Sequence, residues 1–87
     1  MYNYETERPY VLTDEGSRKV LNVRTVADAA LKIAGAVRAD KLMAAAGSGS
    51  SWALMACVDR LVEVGELREI PTNGAWQNRV FVSGRGE

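Results

Sequence analysis

The sequence contains no histidine and one cysteine, Cys57, and these two shortages exclude most catalytic and metal chemistry. One cysteine cannot form an internal disulfide, and without a second Cys or a His no zinc site can be completed. The scattered carboxylates offer no nucleophile–base pair. We therefore expect neither an enzyme nor a cofactor, and we interpret Cys57 as a small core side chain. A reducing compartment such as the bacterial cytoplasm suits such a chain.

Long apolar runs and net charge are also missing. No stretch approaches the roughly 18 apolar residues that span a bilayer, and the first residues are acidic where a signal peptide is basic. We therefore expect a cytoplasmic location without membrane contact. The formal net charge is +0, which weakens the attraction to phosphate that nucleic-acid binding requires. The charges are nevertheless segregated, because residues 5–15 are mostly acidic and residues 17–41 mostly basic.

The stretch from residue 50 to residue 70 is predicted to be a helix that runs into a strand. The helix should begin near Ser51, since serine is a favoured N-cap and apolar side chains recur every three or four residues behind it. Gly65 can take the left-handed conformation that ends a helix, and residues 66–70 have strand-like spacing. An Asn-Gly turn at 73–74 then predicts a hairpin to a second strand at 78–83. The apolar stripe of the helix consists of Leu54, Val58 and Leu61.

A long helix is predicted upstream, with Thr13 as its N-cap and Gly35 at its end. Its apolar positions recur at helical spacing as far as Ile33 or Ala34. Thr25 offers a second cap that could split this helix in two, and we favour one continuous helix. A short helix is predicted at 40–46, where Gly47 stops it.

The two ends of the chain lack helical periodicity. We predict an extended arm over residues 1–12, a folded domain over 13–83 and a flexible tail over 84–87. The tyrosines of the arm, Tyr2, Tyr4 and Tyr10, could cover an edge of the core or contact a partner, since tyrosine is favoured at interfaces. A homodimer formed through the arm and the first helix is compatible with every function considered below.

This order of elements resembles the winged helix-turn-helix superfamily over about residues 25–83. The resemblance depends on a helix that ends in Leu-x-x-x-Gly-x-Leu, here Leu61, Gly65 and Leu67, followed by a strand, a polar turn and a second strand. It implies a mainly α fold with a small β-hairpin, in which three helices precede a two-stranded wing. It also implies a short connecting strand at Val37.

The function that the resemblance implies is binding to duplex DNA, in a transcriptional regulator or accessory factor. The first turns of the helix that begins near Ser51 would then enter the major groove. The candidates for phosphate contacts are Arg18, Lys19, Arg24, Arg38 and Lys41. The candidates for groove contacts are Ser50, Ser51 and Arg60, and the wing offers Arg79.

A protein-interaction module is the alternative function. Trp52 and Met55, one turn apart, would form an exposed apolar step, and Asp59 beside them would repel phosphate. Such a step is typical of a protein-binding anchor. In the competing interpretation Trp52 folds back over the preceding helix and Met55 fills a gap in the core. Trp76 in the hairpin likewise could contact a partner or shield the edge of the strands.

Overall fold

A computed structural model describes residues 2–47, 51–72 and 78–84 of the chain. This part is mainly α-helical with a small three-stranded antiparallel sheet, which confirms the general class predicted from the sequence. Its elements in chain order are α1 (Tyr4–Val11), α2 (Asp14–Ala34), β1 (Val37–Arg38), α3 (Ala39–Ala46), α4 (Ser51–Glu63), β2 (Leu67–Ile70) and β3 (Val80–Ser83). The Asn-Gly turn at 73–74 and Trp76 lie outside the described residues.

The long helix α2 is continuous, as predicted. The Thr13 side chain caps its start by accepting a hydrogen bond from the Gly16 amide at 3.0 Å, and Gly35 ends it with a φ of 77°. Thr25 does not interrupt the helix, because its hydroxyl donates to the carbonyl of Leu21 one turn earlier. The prediction that Ile33 or Ala34 continues the core stripe was wrong, since the last turn of α2 extends past the core and both side chains are exposed.

The predicted extended arm is instead a helix, α1, and this corrects the sequence interpretation. Asn3 caps it by accepting a hydrogen bond from the Glu5 amide, and α1 packs against both α4 and α2. The crossing with α2 is very close: a Cβ added at Gly16 would lie 2.7 Å from the Cα of Val11. Only glycine at this position allows the two helices to touch.

The sheet has the strand order β1-β3-β2, with both pairings antiparallel. β1 forms at Val37 as expected, and β3 lies between the other strands, so that Phe81 pairs with Val37 on one side and Glu69 on the other. Phe81 is fully buried and anchors the sheet on the helices. Gly84 belongs to this layer as well, since its amide donates to the carbonyl of Glu66 at 3.0 Å, so the predicted flexible tail does not begin at that residue.

Candidate interaction surfaces

The face of α4 that points away from its apolar stripe is covered by α1. The Tyr2 hydroxyl donates to Asp59 Oδ2 at 2.6 Å, and the Tyr4 hydroxyl donates to Glu63 Oε1 at 2.6 Å. Ala56, about one turn before Asp59 on the same face of the helix, is fully buried. α4 is therefore packed on two opposite sides, by the core on one and by α1 on the other.

Met55 belongs to the core, which corrects the predicted Trp52–Met55 step. Its exposed fraction is 2%, whereas that of Trp52, at the start of α4, is 45%. The competing interpretation, in which Met55 fills a core gap, therefore holds for this residue. A sequence signal for the double-sided packing was present: residues 53–58 read Ala-Leu-Met-Ala-Cys-Val, and a helix that is apolar all round is a buried helix.

Glu63, near the end of α4, holds α1 in place through several donors. Besides Tyr4, Arg8 of α1 donates from Nε at 3.0 Å, and Arg60 donates from Nη1 at 2.8 Å. The hydrogen bonds from Tyr4, Arg60 and Arg8 lower the pKa of this carboxyl to about 2. Burial and the bond to Glu63 in turn raise the pKa of Tyr4 to about 12. The contact therefore favours a charged carboxylate and a neutral phenol at neutral pH.

A second polar cluster ties α4 to the sheet and to the start of the chain. Arg79 Nη2 lies 2.7 Å from Asp59 Oδ1 and 2.6 Å from Glu69 Oε1, and its guanidinium stacks over the Phe81 ring. The hydrogen bond from Arg79 lowers the pKa of Glu69. Tyr2 completes the cluster through its bond to Asp59, and burial followed by this bond raises the pKa of its phenol. Arg79, predicted to contact DNA, is therefore neutralised within the chain.

The other basic candidates divide into two groups. Arg24, Arg38 and Arg60 form ion pairs within the chain, with Glu66, Asp40 and Glu63 respectively. Arg18 and Lys41 are exposed and form no ion pair within the described residues, while Lys19 is half-buried on α2. Ser51 is exposed at the start of α4, and Ser50 lies outside the described residues. The structure therefore does not assemble the predicted cations into one continuous basic surface.

The tyrosines of the first ten residues form contacts within the chain. Tyr2, Tyr4 and Tyr10 are half-buried against the core, and the hydroxyl of Tyr10 donates to Glu15 Oε2 at 3.2 Å. This arrangement favours the first of the two predicted roles, in which they cover an edge of the core. The same packing leaves less tyrosine surface for a subunit contact through this segment.

An apolar hollow at the end of α2 was not predicted from the sequence. It lies between the last turns of α2 and the first turn of α3 and has a volume of about 340 Å³. Ala30, Ala34 and Val37 line it, and Arg38 and Lys41 stand at its rim. Ile33 also lines the hollow and is 88% exposed. Helical spacing predicted Ile33 in the core. The prediction failed because periodicity cannot show where a helix extends beyond the elements that pack against it.

A wider groove of about 690 Å³ lies between the end of α2 and the sheet. Its charged lining is mixed, because Asp28 and Lys32 lie one turn apart on α2 and Arg68 lies on β2. The C-terminus of α2 at Gly35 also borders this groove, and the negative end of a helix dipole disfavours an anion there. Charge alone therefore favours no single class of ligand in this groove.

Cys57 is fully buried, and burial raises the pKa of its thiol to about 11, so the reactive thiolate is scarce at neutral pH. Within residues 2–47, 51–72 and 78–84, no three His, Cys, Asp or Glu side chains are grouped so that they could hold a metal ion. The same residues contain no helix of the length and apolarity needed to cross a membrane.

No protein-family model, curated protein or solved structure matches this chain. The inference of function therefore depends on the packing, exposure and charge of the described residues. Of these, the covered face of α4 and the exposed hollow at the end of α2 are the most informative features.

Proposed function

We propose that this chain is a winged-helix protein-interaction module in which α4 does not read DNA. The order of elements from α2 to β3 supports the winged-helix assignment. It comprises a long helix, a short connecting strand, a short helix, a further helix and two paired strands, with β1 beside them in the sheet. α1 is an addition to that plan.

The observation that carries the proposal is the packing of α1 across the outward face of α4. The major groove is about 12 Å wide and admits one α-helix, whose own diameter is about 10–12 Å. Packed helices lie about 8–10 Å apart, so a pair spans about 20 Å and cannot enter the groove together. Glu63 bonds to Tyr4 and Arg8 of α1, and Asp59 bonds to Tyr2 just before α1. Ala56 on the same face is fully buried, whereas Ser51 and Trp52 in the first turn of α4 are exposed.

Exposed apolar side chains favour a protein partner. Large hydrophobic residues that are at least partly exposed occur on several elements of the described chain, and they are Leu12, Leu21, Ile33, Trp52, Val64 and Ile70. Contiguous apolar patches are typical of interaction surfaces, and of these residues Ile33 lines the apolar hollow. Of the two residues of the predicted protein-binding anchor, Trp52 is exposed and Met55 is buried.

DNA binding is the second candidate function, and one observation favours it. Arg18 and Lys41 are exposed without an ion pair in the described part of the chain, and Ser51 is exposed at the start of α4. These groups lie on α2, α3 and α4, and contacts with a phosphate backbone would come from them rather than from the outward face of α4. Each such contact would make the slope of the logarithm of the binding constant against the logarithm of the salt concentration steeper by about 0.9.

Photo-crosslinking in cells that produce the chain distinguishes the two functions. A photoreactive phenylalanine analogue would replace Leu21, Ile33, Trp52 or Val64 one at a time, with exposed Thr25 as the matched control position. We expect at least one of the four apolar positions to give a discrete protein adduct that the control does not give. Adducts with nucleic acid alone, or no adduct above the control, would contradict a protein-interaction function.

A further inference from the structure

The hollow at the end of α2 combines an apolar floor with a projecting isoleucine. Small or β-branched side chains form the floor, and Ile33 stands beside it almost fully exposed. Its volume of about 340 Å³ lies at the lower end of the roughly 300–1,000 Å³ typical of ligand pockets. A large apolar side chain from a partner could therefore enter the hollow and pack against Ile33.

The charge around this hollow is one-sided. The two charged residues that line it, Arg38 and Lys41, are both basic. The carboxylate next to them is Asp40, so two positive charges and one negative leave +1. Arg38 donates to both oxygens of Asp40, at 3.0 and 2.8 Å, and these two charges cancel. Lys41 at the rim forms no ion pair with another described residue. The surroundings of the hollow therefore favour a negatively charged partner.

Two other occupants fit these observations less well. A second copy of the chain would bring two positively charged rims together across a two-fold axis, and like charges at an interface are unfavourable. Duplex DNA could contact Lys41, but its phosphates cannot fill an apolar hollow. A peptide that carries both apolar and acidic side chains can pack on the apolar floor and also pair with the basic rim.

We propose that the hollow between α2 and α3 docks an acidic amphipathic segment of a partner protein. A large apolar side chain of the segment enters the hollow beside Ile33, and a carboxylate next to it pairs with Lys41. This inference builds on the protein-interaction function and names the surface and the chemistry of the partner. It also explains why α2 continues beyond the core as far as Ala34.

Selection from a random peptide library displayed on phage tests this proposal without a known partner. The full chain would be the bait, and binders would be counter-selected against the Ile33→Asp variant. We expect the surviving peptides to combine large apolar residues with Asp or Glu. The matched control is Leu21→Asp, because Leu21 is also an exposed aliphatic residue of α2, with an exposed fraction of 59%, and does not line the hollow.

The affinities of synthetic versions of the selected peptides give the quantitative result. Burial of an isoleucine side chain predicts about a 10-fold to 100-fold loss for Ile33→Asp, and Leu21→Asp should bind like wild type. Lys41→Glu should weaken acidic peptides, and exchange of the peptide's Glu for Lys should restore their binding to that variant. Thermal unfolding of each variant verifies that it folds.

Several outcomes would overturn the proposal. One is a selection in which no peptide binds the wild-type chain better than the Ile33→Asp variant. The others are selected peptides that are neutral or basic, and displacement of the peptides by a DNA duplex of random sequence. Sedimentation of the chain as a dimer that Ile33→Asp dissociates would instead assign the hollow to a second copy. If the crosslinking experiment gives protein adducts only at Leu21, Trp52 or Val64, the interaction function stands and this surface is wrong. If no apolar position gives an adduct above the control, both the protein-interaction function and this docking surface are wrong.

Discussion

Replacement of Arg79 by methionine tests how the chain closes over α4. Methionine keeps an unbranched apolar side chain but removes the guanidinium that stacks over Phe81 and bridges Asp59 and Glu69. The two carboxylates would then face each other without a cation, while the Tyr2 hydroxyl still donates to Asp59. We therefore expect the variant to be destabilised, because one partner of a partly buried charge cluster is lost.

The magnitude follows from the exposure of the cluster. Loss of one partner of a fully buried ion pair costs about 3–5 kcal/mol. The Arg79 and Asp59 side chains are 21% and 14% exposed, so solvent screens part of the interaction and we expect a loss of about 2–3 kcal/mol. A domain of this size has a total free energy of unfolding of about 4–13 kcal/mol. The variant should remain folded but lose a substantial part of that stability.

Urea unfolding followed by far-ultraviolet circular dichroism measures this loss. Arg60→Met is the matched control, because Arg60 pairs with Glu63 three residues along the same helix and such a pair contributes about 0.2–0.5 kcal/mol. Asp59→Asn and the double variant complete a thermodynamic cycle and isolate the Asp59–Arg79 coupling. Equal losses for Arg79→Met and Arg60→Met, with no coupling to Asp59, would refute the reasoning.

Three further perturbations address the packing of α1 and the core. Gly16→Ala should lower the melting temperature, with a loss of about 1–3 kcal/mol from the clash with α1; a gain, as alanine usually gives within a helix, would contradict the close crossing. Acidification should release α1. The pKa of Glu63 is about 2 when folded, below its ordinary 4.5, so its contacts stabilise the fold above pH 4.5 and are lost as the pH falls toward 2. The amide signals of residues 4–11 should then shift before those of α3, and simultaneous shifts would argue against a local release. Cys57 should react with a thiol reagent only at the rate of unfolding, and fast labelling of the native protein would contradict its burial.

Local signals were sufficient to predict most of the helices and strands. Thr13 and Gly35 set the ends of α2, Gly65 closes the chain beyond α4, and β1 forms at Val37 where the resemblance implied it. These predictions succeeded because caps and left-handed glycines act within one turn of the backbone. The short helix α3 was predicted with only its first residue misplaced.

The helix α1 and its contacts could not be predicted in this way. Pro9 and the weak periodicity of the first residues argue against a helix, and α1 is stabilised by packing on a segment more than 50 residues away. Ion pairs between distant residues, such as Arg79 with Asp59, likewise depend on the tertiary fold, so the sequence alone presented those arginines as available to phosphate.

A titration of the isotope-labelled chain with a random-sequence duplex at low salt, followed by two-dimensional NMR, tests the covered face of α4 most directly. We expect the amides of α4 beyond its first turn to remain unshifted while the contacts of Tyr2 and Tyr4 persist, because α1 occupies the face that a groove would need. Saturable shifts along the whole of Ser51–Glu63, together with Lys41, would contradict this expectation. They would show that α4 reads DNA after displacement of α1.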